Sequence, residues 1–216
     1  MYYFTKLGME FKITVTHRAS TVEGWIRDVK KEFLDATPIK CVGLDCEFTD
    51  PREKNLRAAV LQLSVASENL VFQICYADAL PHSLKQFLQN KDIRFCGAAI
   101  GNDLRMLEPY GISIRNRVDL QTVLENPTVN PTPSLYDLAN AFLGTNLKKK
   151  EKIKNWKGID KNSPKYDHIF GWGNVLTYKQ VKYAALDARL GFELARKHFR
   201  ARGYNTHVDR LNLNVE

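Results

Sequence analysis

The sequence predicts an α/β domain built on a mixed sheet, and three observations lead there. Apolar runs of strand length recur along the chain. In the first half, three of them lie close together behind short polar connections, which marks antiparallel neighbours. In the second half, strand-length and helix-length periods alternate, the pattern that builds parallel pairs. A chain of 216 residues has room for one domain whose core needs no staple.

Taken in order, Phe11, Ile13 and Val15 alternate with Lys12, Thr14 and Thr16, a half-buried strand. Ser20 and Glu23 form a capping-box pattern ahead of Val22, Trp25, Ile26, Val29 and Phe33, which predicts an amphipathic helix. Residues 41–48, 58–65 and 70–76 are three strands, separated by the polar stretches 50–55 and 67–69. Then follow a helix over 80–89, a strand over 93–98, a helix over 102–108, a strand over 117–120 and a helix over 134–143. Residues 148–165 are polar and lysine-rich, with Trp156 as the main aromatic, and predict a loop or irregular helix. A last helix covers about 177–202, with Gly203 placed to end it.

Composition narrows the function classes. At 44% apolar, 26% charged and 11% aromatic, the chain reads as soluble and globular. The N-terminus lacks a cationic start with an apolar core, and no apolar run approaches the ~18–20 residues of a membrane span. Secretion and membrane insertion are disfavoured. Cys41, Cys46, Cys75 and Cys96 show no metal-ribbon or redox spacing, so reduced thiols in a nuclear or cytoplasmic protein are expected. The net charge of +8 is concentrated late: residues 1–140 carry sixteen Lys and Arg against seventeen Asp and Glu, whereas residues 141–216 carry sixteen against seven. A localised cationic block is either a solubilising face or the footprint of a phosphate-backbone partner.

The chemistry starts in the strand at 41–48. Its even positions are Val, Leu, Cys and Phe, so Asp45 and Glu47 share the opposite face. Two adjacent carboxylates beside apolar neighbours repel unless a proton or cation sits between them. Hard oxygen ligands suit Mg²⁺ or Mn²⁺, and the lack of a His/Cys cluster argues against zinc. On the last helix, Asp187 lies on a stripe of small and apolar residues, and Tyr183 sits one turn earlier on the same face. Asp103 falls in the first turn of the helix after the strand at 93–98, where by itself it reads as a carboxylate on a helix dipole.

In order, Asp45-x-Glu47, Asp103 and Tyr183-x-x-x-Asp187 resemble the three motifs of the DEDDy family of 3′-to-5′ exonucleases. Three longer stretches extend the resemblance. They are Val42-Gly43-Leu44-Asp45-Cys46-Glu47-Phe48, Ser134-Leu135-Tyr136-Asp137-Leu138-Ala139 before Leu143-Gly144, and Leu176-Thr177 leading through Gln180 to Tyr183-Ala184-Ala185-Leu186-Asp187-Ala188. They are most similar to the Werner-syndrome-like branch, including its short plant members.

This resemblance implies an RNase H-like, DnaQ-type three-layer fold with a mixed five-stranded sheet, occupying 1–216 as a single domain with its core at about 11–203. It implies two divalent ions, Mg²⁺ or Mn²⁺, held by Asp45, Glu47, Asp103 and Asp187, with Tyr183 orienting or deprotonating the attacking water. The implied activity releases nucleoside 5′-monophosphates from a single-stranded 3′ end of DNA or RNA. A turnover-free nucleic-acid-binding scaffold on the same fold is the alternative. Nucleic-acid contacts are expected at Phe48, at Lys148, Lys149, Lys150 and Lys152, and at Trp156 or Trp172, either of which matches the family's tryptophan before Leu-Thr. Targeting is expected to fall to a protein partner or to self-association into a homo-oligomer.

Overall fold

A computed structural model of the chain describes residues 2–6, 8–50, 52, 54–148 and 171–204. Its strands are β1 (Tyr2–Lys6), β2 (Met9–Thr16), β3 (Lys40–Phe48), β4 (Ala58–Val65), β5 (Glu68–Phe72), β6 (Ile93–Gly97) and β7 (Arg117–Asp119). They form one sheet in the order β1-β2-β5-β4-β3-β6-β7. The pairs β1/β2, β3/β4 and β4/β5 are antiparallel, and β2/β5, β3/β6 and β6/β7 are parallel. The mixed sheet stands as expected, but with seven strands rather than five. The run at 117–120 forms the three-residue edge strand β7, as its residues lead one to expect, and the strand with no counterpart in the sequence reading is the other edge, β1, turned back on β2 across Gly8 at φ +70°.

Helices α1 (Ala19–Val29), α2 (His82–Leu88), α3 (Ile100–Leu107), α4 (Leu120–Val123), α5 (Leu135–Leu143) and α6 (Tyr178–Arg200) flank the sheet. Ser20 and Glu23 do not cap α1. The helix starts at Ala19, and the Asp78 carboxylate accepts the Ala19 N–H at 2.8 Å, a long-range partner that takes the place of a local cap. That bond, foremost, holds the Asp78 carboxyl below its ordinary range. The strand expected over 70–76 stops at Phe72, where the chain turns into a 3₁₀ turn at Ile74–Tyr76. Genuine capping boxes begin α5 (Ser134 with Asp137) and α6 (Thr177 with Gln180).

All eight residues of β4 are buried, as a central strand covered on both faces requires. On one side, Val42, Leu44 and Cys46 pack with Val22, Trp25, Leu84 and Leu88 of α1 and α2. On the other, α6 crosses β3 and β4, and Val60 packs with Tyr136, Val181 and Leu190. Gly43 sets that approach, because a Cβ there would stand 2.0 Å from Ala188 O and 2.6 Å from Phe192 N. No helix among the described residues is long and apolar enough to cross a membrane.

Candidate active site

With the even positions of β3 committed to the core beneath α1 and α2, Gly43, Asp45 and Glu47 turn toward α6. Gly43 admits the helix backbone, and Asp187, one residue before Ala188, comes down beside the two strand carboxylates. One oxygen each from Asp45, Glu47 and Asp187 lies within 4.8 Å of the others, the one such cluster of three among the described residues. Asp187 is only 1% exposed. Tyr183 hydrogen-bonds Asp187 from one turn earlier, and its hydroxyl is held in the protonated form by burial first and then by Asp187, Glu47 and Asp45.

Asp103 stands next to Asp45 but outside the group of three. Its carboxyl is pushed up to about 9, by burial and then by the charge of Asp45; a hydrogen bond from the Cys46 backbone opposes the shift and Asp119 adds to it. α3 delivers it through an unusual start. Ala99 at the N-cap adopts left-handed φ 59°, ψ 33°, and Asp119 Oδ1 accepts the Ala99 N–H at 3.2 Å.

Gln62 was not legible as a site residue, yet it lies opposite Asp45 in the β3/β4 register and is fully buried. With its amide oriented by its partners, Nε2 donates to Asp45 Oδ2 and to Asp45 O, both at 3.1 Å, and Oε1 accepts from the Glu47 N–H at 3.3 Å. The available signal was a lone amide inside the apolar run Ala58-Ala59-Val60-Leu61-Gln62-Leu63.

A groove of about 530 Å³ opens over Asp45 and Asp187, walled by Ala98, Gln121 and residues 130–137. Gln121 Nε2 donates to Pro133 O at 2.7 Å, and Asn126 Nδ2 donates to Asn130 O at 2.6 Å, so this wall is braced from behind. Trp172, expected as a nucleic-acid contact, is 3% exposed and lies with its ring 5.9 Å from that of Tyr183. Phe48 is half-buried against the core just beyond a register shift in β3, and Lys148 is exposed. Lys149, Lys150, Lys152 and Trp156 lie outside the described residues.

Chemically, three clustered carboxylates with a fourth beside them form a hard, anionic oxygen set with no described Lys or Arg in it. Such a set fits Mg²⁺ or Mn²⁺, because burial and then the charge of Asp45 push up Asp103, and a bound cation offsets both.

A family model described as 3′-5′ exonuclease matches residues 17–199. The R431 protein of Acanthamoeba polyphaga mimivirus is 27% identical over 197 residues, covering 82% of this chain and 43% of that protein. The chain spans less than half the length of the curated relatives it matches. Among solved structures, the catalytic core of RRP6 from Trypanosoma brucei superposes with a TM-score of 0.66 at 16% identity, over 91% of this chain and 49% of that one. Escherichia coli RNase D, an exoribonuclease, superposes with a TM-score of 0.58 at 19% identity, over 94% and 48%. Identities this low speak for the shared fold alone. The matched span, by contrast, takes in most of the chain and every one of the five motif residues, and the chain belongs to the DnaQ-like family of 3′-5′ exonuclease domains.

Proposed function

We propose that the chain is a metal-dependent 3′-5′ exonuclease that releases nucleoside 5′-monophosphates from a single-stranded 3′ end of DNA or RNA. The observation that carries this reading is the convergence of Asp45, Glu47 and Asp187 within 4.8 Å, with Tyr183 hydrogen-bonded to Asp187. Asp45, Glu47 and Asp187, joined by Asp103, would hold two Mg²⁺ or Mn²⁺ ions. When bound, such a pair supplies an activated water and neutralises charge on the departing 3′ oxygen.

The chain's own groups do the rest. Tyr183, kept protonated, offers a hydroxyl that can hold the attacking water in line, with its ring beside that of Trp172, centroids 5.9 Å apart. The groove beside Asp45 and Asp187, at about 530 Å³, falls within the ~300–1,000 Å³ of sites that enclose a small molecule. It is suited to one terminal nucleotide, and its braced wall would favour a chain end over an internal position.

The motifs at 42–48, 134–144 and 176–188 support placing the chain in the Werner-syndrome-like branch, as one domain with its core at about 11–203. Four free thiols are in keeping with a nuclear or cytoplasmic setting. Targeting by a protein partner or by self-association belongs to the same reading.

The test uses 3′-labelled single-stranded RNA, single-stranded DNA and a recessed duplex, each with Mg²⁺, Mn²⁺ and EDTA. The expected result is a mononucleotide product from the single strands that EDTA abolishes. Binding without turnover in either metal would favour the scaffold reading, and internal cuts would favour an endonuclease.

A further inference from the structure

We infer that Gln62 is a positioning residue that fixes Asp45 for metal binding, an inference that rests on the metal-dependent reading above. β4 is buried along its whole length, and in its central stretch an amide stands where the neighbours are Val60, Leu61 and Leu63. Burying an amide without partners is costly, so its partners decide whether it belongs there. Both of its hydrogens go to Asp45, one to Oδ2 and one to the backbone O, and its oxygen takes the Glu47 N–H. One amide therefore ties together the two strand residues that carry the carboxylates.

That arrangement has work to do at this point of the strand. The β3/β4 register shifts between Glu47 and Phe48, so the ladder is irregular just where the acidic pair stands. The terminal torsion of an aspartate is soft, and nothing intrinsic fixes which oxygen faces the site. Holding Oδ2 from the β4 side fixes the rotation of a carboxylate that has an oxygen within 4.8 Å of Glu47 and Asp187. An amide does this without charge. A Lys or Arg at 62 would neutralise Asp45 and weaken its pull on a cation, whereas a neutral donor orients the carboxylate and leaves its charge intact.

Gln62→Met and Gln62→Leu remove the donor while keeping an apolar side chain of similar bulk. In the full chain, Mn²⁺ binding is read by electron paramagnetic resonance, alongside the metal-free melting temperature. The expected result is a Mn²⁺ affinity reduced by about 10–100-fold, as loss of such a partner to a ligand costs, with metal-free melting within a few degrees of wild type. A mere packing role would move the melting temperature and leave Mn²⁺ affinity unchanged, and that outcome overturns the assignment. Should neither variant fold, the wild type decides: the Gln62 side-chain amide resonances should shift on titration with Mg²⁺, and an unmoved pair overturns the assignment equally. A wild-type chain that binds no Mn²⁺ removes the metal-dependent reading and this inference with it. Normal wild-type binding with unaffected variants removes only the role of Gln62.

Discussion

α6 buries charge at two places, and it does so in opposite ways. Glu193 is 1% exposed and sits between two buried cations, Arg189 on one oxygen and Arg196 on the other, with Arg196 Nη2 at 2.7 Å and Nε at 2.9 Å. Asp187, six positions earlier and equally buried, faces Asp45 and Glu47, with Asp103 beyond them. The first cluster carries its own counter-ions in the chain. The second stacks one sign of charge and leaves the compensation to something outside it. On the proposed reading, a structural charge and a functional one on the same helix differ in whether the chain supplies the counter-ion, and burial alone does not tell them apart.

The sharpest way to break this contrast is to truncate one acid in each cluster. Asp187→Ala, like Asp45→Ala, should reduce cleavage to background while the metal-free protein melts at or above the wild-type temperature, since removing one of several like charges relieves repulsion. Glu193→Ala should do the reverse. It strands two buried guanidiniums, at a cost of about 3–5 kcal/mol, and lowers melting by roughly 10 °C for a domain of this size. Residual cleavage by folded Glu193→Ala would locate the difference in stability. Full activity of Asp45→Ala, or of wild type in EDTA, would dismantle the site as described.

Tyr183 tests the edge of the acidic cluster. Tyr183→Phe keeps the ring against Trp172 and removes only the hydroxyl, so kcat should fall by roughly 10–10⁴-fold with KM little changed. A variant that turns over normally and binds substrate weakly would make Tyr183 a substrate contact.

Next in size is a pH effect confined to the metal-free protein. Asp103 has its carboxyl pushed up to about 9 in the folded chain, against an ordinary 3.8. The folded state therefore holds a proton that the unfolded state releases, and stability falls as pH rises between those two values. Asp103→Asn should flatten that dependence and raise metal-free melting at neutral pH. Saturating Mg²⁺ should remove most of the dependence in wild type, because the cation replaces the proton. A slope that Asp103→Asn leaves unaltered would assign it to other groups.

The sequence exposed the parts of this molecule that obey local periodicity. The odd face of β3 is visible from alternation alone, and the one-turn offset of Tyr183 and Asp187 from helical spacing. What stayed hidden depends on partners distant in the chain. Asp78 caps α1 from some sixty residues away, so the Ser20/Glu23 pattern points to the wrong cap. Gln62 gains its meaning only from the strand register that sets it opposite Asp45. Trp172 reads in the sequence only as a candidate for the family's tryptophan before Leu-Thr, and its burial with the ring 5.9 Å from that of Tyr183 shows only in the fold. The extra edge strand β1 hangs on a turn at Gly8 that no hydrophobic period announces.

The smallest expected effect concerns how Asp103 reaches the cluster. Ala99 holds a left-handed conformation that costs an L-residue with a Cβ about 1–2 kcal/mol relative to ordinary backbone, and that glycine adopts freely. The Asp119 carboxylate, which accepts both the Ala99 N–H at 3.2 Å and the Gln121 N–H at 3.0 Å, fastens this turn to the start of α4. Ala99→Gly relieves the strain in the folded chain but also loosens the unfolded one, so the two contributions partly offset. The net expectation is a gain of up to about 1 kcal/mol, read as a rise of roughly 2–4 °C in melting, with cleavage close to wild type because Asp119 still fixes the turn. If Ala99→Gly instead lowers kcat while stabilising the fold, the strained turn is itself holding Asp103 in place, and the backbone is part of the proposed metal site.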